Sequence, residues 1–298
     1  MGGRSRRRTP GGGNLGDLPF NRLAYSMHVR RTETQAAKDY LWLHLRELPY
    51  FRALLRAVEA RFYQDISLTP PTLDLGCGDG HFASMAFDRR LEVGIDPWSG
   101  PIRLAQHRRA YHLAVHGLGG QMPFPDDYFS SAVSNSVLEH IPDLQPVLSE
   151  LRRVLKPGAR FVFCVPNHQF LPNLSTAALF DRLGLKTLAQ AYRNFFNRIS
   201  RHYHCDDENV WEKRLSHAGF QIETYWHYFS PSALAVFEWG HFFGLPCLVP
   251  HFILGRWIIA PDMWNLFLTR RLVQTYYDQE PQHPQGAYTF FITRRLPD

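Results

Sequence analysis

The feature that most constrains the fold is a glycine-rich loop between a short apolar run and a helical pattern. Residues 73–81 read LDLGCGDGH, with glycines at positions 76, 78 and 80. Where such a loop leaves a strand and opens a helix, backbone N–H groups can approach a ligand that side chains would otherwise obstruct. The loop therefore predicts a site for a nucleotide-like cofactor.

Short apolar runs alternate with helical patterns from Pro71 onward. Strands are predicted at TLDLG, LEVGID, YHLAV, FSSAVSN, RFVFCVP, GFQIETYWHYF and AYTFFITRR. Two helices are predicted within residues 36–63, and a third follows Asp143, with Lys156, Pro157 and Gly158 ending it. This alternation indicates an α/β fold with a parallel sheet and crossover helices.

Composition and charge exclude several classes of protein. The four cysteines form no CxxC spacing, so neither a disulfide framework nor a structural zinc site is indicated, and a cytoplasmic setting is predicted. Four arginines within residues 1–16 carry most of the net charge of +6. We interpret residues 1–16 as a disordered basic tail and residues 17–298 as one domain, with insertions at about 166–205 and 229–286.

The spacing of the loop distinguishes between nucleotide cofactors. Enzymes that bind dinucleotides place the third glycine three residues after the second, whereas here that position is His81 and the third glycine is Gly80. This spacing argues against NAD and FAD. Asp96 follows Gly80 by sixteen residues, at the end of the next predicted strand, where its carboxylate can accept both hydrogen bonds of a ribose diol.

Five motifs in order carry a resemblance to a known family. They read LDLGCGDG, GIDP, MPFPDDYF, VSNSVLEHIPD and LRRVLKPGARFVFCVPN. The sequence resembles the class I S-adenosylmethionine-dependent methyltransferases, in particular the group that includes the ubiquinone and menaquinone biosynthesis methyltransferases. The resemblance implies a Rossmann-like, mostly parallel seven-stranded sheet with an antiparallel last strand, N-terminal helices and an inserted helical lid. It also implies S-adenosylmethionine as the cofactor.

The same resemblance implies roles for residues of the first motifs. Asp74 would orient the methionine ammonium group, and Asp96 would bind the ribose hydroxyls. The loop residues Gly76, Cys77, Gly78 and Gly80 would hold the carboxylate and ribose side of the cofactor. Asn135, at the carboxyl end of the fourth strand, would line the floor beneath the sulfonium.

The residues expected near the adenine match the family pattern less completely than those of the glycine loop. Trp98 would flank the adenine, with packing in the core as the alternative. Leu118 occupies the position where the family often has an acid, and Gln121 is the nearest side chain that could accept from the adenine amino group. Pro97 and Met122 belong to the GIDP and MPFPDDYF motifs and are predicted to bind the cofactor with them.

A catalytic base, if the transfer uses one, is expected in the segment that follows the fourth strand. His140 in LEHIPD is the first choice because it follows the strand end that delivers Asn135. Glu139 could act with it, or both could simply pack and cap the turn. Quinone O-methyltransferases of similar sequence use acid and His residues here around a metal ion. Ser136 replaces an acid that such a site would need, so no metal site is predicted.

A second cluster, RHYHCD at residues 201–206, precedes another predicted helix. It contains metal-ligand residue types, but His202 and His204 lie two apart, which is not the spacing of a known zinc motif. Asp206 is better explained as a helix cap, with Asp207 as the alternative cap. Contact with the substrate is the favoured functional role of the cluster.

Two features of the sequence bear on the class of the methyl acceptor: its basic residues and its apolar insertion. The folded part has no basic stripe interleaved with aromatic residues, so nucleic acid is a poor candidate. Residues 239–255 read WGHFFGLPCLVPHFILG and contain no Lys, Arg, Asp or Glu. This segment is a buried lid, an interfacial element or, least favoured because prolines break it, a membrane span.

Three functional hypotheses follow. The first is methylation of a small, hydrophobic or lipid-linked acceptor at oxygen or carbon, with peripheral membrane contact kept open. The second is methylation of a soluble sugar or secondary metabolite. The third is a cofactor-binding module without catalysis, which the intact loop and Asp96 disfavour. The sequence leaves the oligomeric state open.

Overall fold

The computed structural model describes residues 38–297. The predicted basic tail at residues 1–16 and the first part of the predicted domain lie outside the described residues. By their contacts, Asp39–Asp298 form one compact unit.

Seven strands form a single sheet in the order β3-β2-β1-β4-β5-β7-β6. Strands β1 to β5 are mutually parallel, whereas β7 runs antiparallel to both of its neighbours. The predicted seven-stranded, mostly parallel sheet with an antiparallel last strand is therefore confirmed. The strands are β1 (Thr72–Leu75), β2 (Leu91–Asp96), β3 (Tyr111–His116), β4 (Phe129–Asn135), β5 (Leu155–Pro166), β6 (Phe220–Tyr228) and β7 (Tyr288–Arg295).

The strand order reverses between β1 and β4. In open α/β sheets, ligands bind outside the carboxyl ends of the strands at such a reversal. Both the glycine loop after β1 and the segment after β4 leave the sheet at this point. The topology therefore brings together the two parts of the chain in which the sequence analysis placed the cofactor and the base.

Helices cover both faces of the sheet and fill the long connections. They are α1 (Tyr40–Leu45), α2 (Tyr50–Phe62), α3 (His81–Ala86), α4 (Ser99–Arg108), α5 (Gln145–Val154), α6 (Ser175–Arg182), α7 (Lys186–Ser200), α8 (Glu208–His217), α9 (Pro231–Phe243), α10 (Leu248–Leu254) and α11 (Met263–Tyr277). Buried residues of α2 and α9 pack together in one core, and those of α5 and α8 pack in the other. The two predicted N-terminal helices are present as α1 and α2.

Two local predictions were wrong. Helix α5 ends at Val154, and Leu155 to Gly158 belong to β5, because Leu155 pairs with Phe129 at the start of that strand. Asp207, whose side chain accepts from the N–H of Val210, caps α8 instead of Asp206. Asp206 binds Arg214 Nη1 at 2.6 Å.

The insertion between β6 and β7 is only partly buried. Helix α9 buries Leu234 and Phe237, whereas α10 buries none of its residues and Phe252 is 93% exposed. A fully buried lid is therefore wrong for this segment. We call the exposed apolar side chains of α9 to α11 the apolar face, which includes Phe243, Val249, Phe252, Ile253, Trp264 and Leu268.

The described residues contain no single helix that is long and apolar enough to cross a membrane. Helices Pro231–Phe243 and Leu245–Leu254, bent by 54° at their junction, reach that length and composition only when taken together.

Candidate active site

The glycine loop is fixed to the neighbouring strand by its own backbone. The N–H groups of Gly76 and Cys77 both donate to the carbonyl of Ile95, at 2.8 and 3.0 Å. Gly76 has a φ of +77°, and a Cβ there would lie 2.3 Å from Val137. Any side chain at position 76 would therefore strain the backbone and collide with the segment after β4.

Asp96 ties the glycine loop to the end of β2. One carboxylate oxygen accepts from the N–H of Gly78 and the other from the N–H of Trp98, each at 3.0 Å. The side chain is buried, and burial raises its pKa. A carboxylate has about four lone-pair positions, so two hydroxyl groups can still bind to this one. These contacts fit the predicted ribose contact.

Asp74 lies beneath the loop on β1. Its carboxylate accepts from the Tyr111 hydroxyl at 2.6 Å. Burial raises the pKa of Asp74 to about 7, the Tyr111 hydrogen bond opposes that rise, and the negative charge of Asp96 adds to it. A buried carboxylate whose ionised form is destabilised in this way would gain from a bound cation such as an ammonium group. The position thus fits the predicted ammonium contact.

The residues predicted to lie near the adenine differ in exposure. Trp98 is 70% exposed, so the alternative that it packs in the core is wrong. Pro97 and Gln121 are exposed on neighbouring loops. Met122 is buried, and its N–H donates to Glu150 Oε2 at 2.8 Å. The adenine contacts of all four residues remain predictions.

A buried carboxylate that the sequence analysis missed holds the end of β4. Glu59, on α2, accepts from the Asn135 amide at 2.7 Å and from the Ser136 hydroxyl at 3.1 Å. It also accepts from Arg56 at 2.8 Å and from the Tyr228 hydroxyl at 2.9 Å. Its sequence signal is a single acid at a core-facing helical position. Both polar ends of Asn135 are engaged, since its oxygen accepts from Cys164 at 3.1 Å.

The two histidine segments meet beside β4. The rings of His140 and His202 have centroids 5.4 Å apart. His140 Nδ1 donates to the carbonyl of Arg201 at 3.0 Å, and the N–H of Tyr203 donates to the carbonyl of Glu139 at 2.8 Å. Residues 201 to 203 therefore position His140. The sequence alone did not indicate this contact, because the two segments are far apart in the chain.

The protonation states in this cluster follow from burial. Burial raises the pKa of Glu139 to about 8 and lowers the pKa of His202 to about 3. Burial also lowers the pKa of His140, although the Arg201 carbonyl opposes that shift. The lowered pKa favours the neutral ring at pH 7. Because a carbonyl can only accept, the proton of the neutral ring lies on Nδ1, and Nε2 keeps a free lone pair.

The same side chains could hold a cation. One ligand atom from each of Glu139, His140 and His202 lies within 4.8 Å of the others. His204 is not part of this group, because its Nε2 donates to the carbonyl of Ile141 at 3.0 Å. The arrangement thus offers either a neutral base or a three-ligand site.

A cavity of about 480 Å³ opens beside this cluster. Its wall has a polar part, which includes side chains that follow β4, and an apolar part, which includes side chains of α2, α9 and α10. The lining residues are Phe51, Arg52, Leu55, Arg56, Ser136, Glu139, His140, Ile199, His202, Phe237, His241, Leu245, Leu248, Trp257 and Tyr288, among others. The cavity is large enough for a small molecule and combines the His140 imidazole with an apolar wall.

Residues 73–163 match a family model described as a methyltransferase domain. This chain carries a methyltransferase domain. The matched residues include the glycine loop, Asp96 and His140. The predicted resemblance to S-adenosylmethionine-dependent methyltransferases, and with it S-adenosylmethionine as the cofactor of this domain, is confirmed over the matched residues.

Relatives of the methyltransferase domain are similar over part of their length. A probable S-adenosylmethionine-dependent methyltransferase from Mycolicibacterium smegmatis is 30% identical over 54% of this chain and 60% of its own. A demethylmenaquinone methyltransferase from Streptomyces avermitilis is 33% identical over 39% of this chain and 48% of its own. The chain therefore spans about half of these relatives.

The fold is also similar to that of solved proteins. An S-adenosylmethionine-dependent methyltransferase from Thermotoga maritima superimposes with a TM-score of 0.51 at 14% identity, over 83% of this chain and 91% of that chain. The sequence identity is low, so this similarity concerns the fold alone.

Proposed function

We propose that this protein transfers a methyl group from S-adenosylmethionine to an oxygen or carbon atom of a small, hydrophobic or lipid-linked acceptor. The observation that carries the proposal is the cavity beside β4, where a neutral histidine and an apolar wall lie together. The cavity adjoins the segment after β4, which contacts the cofactor loop through Val137 and Gly76.

The cofactor half of the site is built by β1, β2 and the loop between β1 and α3. Asp74 would hold the ammonium group, the loop N–H groups the carboxylate side, and Asp96 the ribose. When bound, the sulfonium supplies an activated methyl group. The protein then has to hold the acceptor atom close to that group and exclude water.

His140 would act as the base of the transfer. Its Nδ1–H is fixed on the Arg201 carbonyl, which leaves Nε2 to accept a proton from an acceptor hydroxyl or an acidic carbon. Its lowered pKa keeps it neutral at pH 7. Glu139, whose pKa of about 8 favours the protonated form, would add no negative charge beside the acceptor.

The apolar wall supports a hydrophobic acceptor. Leu245 and Leu248 line the cavity and are also exposed, at 55% and 47%. The cavity wall is therefore continuous with the apolar face. A lipid-linked acceptor could keep its tail against this face while its reactive end lies near His140.

The apolar face also supports a peripheral contact with a membrane. An exposed apolar surface of this kind commonly marks a protein or membrane contact. Arg256 and Arg271 are exposed beside it, as basic side chains at a membrane interface often are. We propose that α10 and α11 rest in the lipid interface without crossing the bilayer.

A transfer assay separates the functional hypotheses. Purified protein is incubated with methyl-labelled S-adenosylmethionine and either a lipid extract or a water-soluble extract of cells that express it. We expect label in the organic phase, dependent on the lipid extract, and its loss with H140Q. Label only in the aqueous phase would favour a sugar or secondary metabolite, and no transfer from either extract would favour a module without catalysis.

A further inference from the structure

Of the three arginines that line the cavity, Arg52, Arg56 and Arg201, only Arg56 forms an ion pair within residues 38–297. Arg52, on α2, lines the cavity with its guanidinium 5.7 Å from the centre of the Trp257 ring. Arg56 lies one turn further along the same helix and also lines the cavity. Two like charges at this spacing repel each other unless an opposite charge compensates them.

Of the pair Arg52 and Arg56 on α2, only Arg56 is compensated by an opposite charge. Arg56 is paired with Glu59 at 2.8 Å, and Glu59 is itself saturated by other donors. Arg52 forms no ion pair within residues 38–297 that would neutralise it. Its side chain is exposed at the open cavity, so the guanidinium can reach a ligand there.

The other acids near Arg52 do not supply the missing charge. Asp79 raises the pKa of Arg52 but is 3.6 Å from Arg108 and accepts from the N–H of His81 at 3.1 Å. Glu139 lines the same cavity, but its Oε1 lies 3.9 Å from His140 Nε2, and within residues 38–297 it forms no ion pair with Arg52.

We infer that the acceptor carries an anionic group, a carboxylate or a phosphate, which Arg52 binds on the wall of this cavity. This inference rests on the proposed function and names the class of its substrate. The planar guanidinium can donate two parallel hydrogen bonds to either oxyanion, and stacking on Trp257 holds it in place. The apolar wall at Leu245 and Leu248 then receives the hydrocarbon part of the same molecule.

The test compares three probes that share a ten-carbon chain: decyl phosphate, decanoate and decanol. Binding to the full chain saturated with S-adenosylhomocysteine is measured by titration calorimetry below the micelle concentration. We expect at least one anionic probe to bind about tenfold or more tightly than decanol. R52Q should lose this preference, R52K should keep most of it, and R103Q, which changes an exposed arginine of α4, should behave as wild type.

The two anionic probes distinguish a carboxylate acceptor from a phosphate acceptor. Equal binding of decanol and both anions to the wild type, absence of binding by both anions, or an undiminished preference in R52Q would overturn the inference. S-adenosylhomocysteine binding is measured first. If it binds and the anion preference is absent, the acceptor class is wrong and the proposed function stands; if it does not bind, the proposed function fails.

Discussion

The imidazole rings of His140 and His202 lie 5.4 Å apart, although 61 residues separate them in the chain. The connection runs through the carbonyl of Arg201, which accepts from His140 Nδ1 at 3.0 Å. The first helical insertion therefore supplies part of the site that the segment after β4 begins. Its contribution is to fix the orientation of His140 and to exclude water from one side of the cavity.

Replacing His140 should remove the base. We expect H140Q to lower kcat/KM by about 10²- to 10⁴-fold, the usual contribution of general base catalysis. In the wild type, kcat/KM should fall as the pH drops through the pKa of His140, which burial places below 6.5, because only the neutral ring can accept a proton. H140Q should lack this acidic limb.

The control for His140 is H217Q, which changes an exposed histidine of α8 and should leave the profile intact. A full rate in H140Q would favour the alternative that His140 only caps the turn. If EDTA abolished activity and a divalent cation restored it, the account of His140 as a free base would be wrong, and Glu139, His140 and His202 would be the ligands to test.

Cofactor binding should depend on pH through Asp74. Its pKa of about 7 means that the carboxyl group is largely protonated at pH 6 and ionised at pH 8, whereas an ammonium group binds the ionised form. We expect the affinity for S-adenosylhomocysteine to rise about tenfold from pH 6 to pH 8, in line with one linked proton. Titration calorimetry at the two pH values measures this, and D74N should bind weakly with no such dependence. Equal wild-type affinity at both values would count against the ammonium contact.

Glu59 should be important for stability, since it is buried and accepts from four donors. Removing one partner of a buried charge pair leaves the other uncompensated, so we expect E59A to lower the free energy of unfolding by about 3 to 5 kcal/mol. Urea denaturation followed by circular dichroism provides the measurement. E212A, on the exposed side of α8, should change stability by less than about 0.5 kcal/mol. One ordinary hydrogen bond contributes roughly 1 kcal/mol. A smaller loss than that in E59A would show that the Glu59 network is not needed for stability.

The apolar face should bind vesicles independently of the cofactor. Serine at Phe243, Phe252 and Trp264, which are 69%, 93% and 78% exposed, should abolish co-sedimentation with anionic vesicles and leave S-adenosylhomocysteine affinity unchanged. Serine at Leu113 on β3 and at Tyr128 just before β4, two exposed positions away from the apolar face, is the control. Wild-type protein that stays in the supernatant at every lipid composition would show that the face has another role.

Much of the fold could be predicted because its signals are local. Each of the seven predicted apolar runs falls on a different strand of the sheet, and the glycine loop stands where β1 meets α3. The end of α5 was missed because Leu155 is apolar and fits the helical period, and only its pairing with Phe129 assigns it to β5. Periodicity does not reveal a partner 26 residues away.

The candidate site was predictable only in part, for a similar reason. Asp74 and Asp96 lie in sequence motifs that are themselves typical of the cofactor site, so their position could be predicted. Glu59, Arg52 and His202 reach the site from a helix before the sheet and from an insertion after β5, so their role depends on packing between distant elements. The local sequence offered one indication of the role of Glu59, which is that it is an acid on the otherwise apolar side of α2.

Titration of S-adenosylhomocysteine into the wild type and into D96N tests the cofactor site directly. Asn keeps the size of the side chain but removes the charge. We therefore expect micromolar-range binding by the wild type and a loss of about 1.5 to 3 kcal/mol of binding free energy in the variant, the cost of charged hydrogen bonds. E212Q should bind as the wild type does. Equal affinity of D96N and wild type, or tight binding of NAD in place of S-adenosylhomocysteine, would contradict the account.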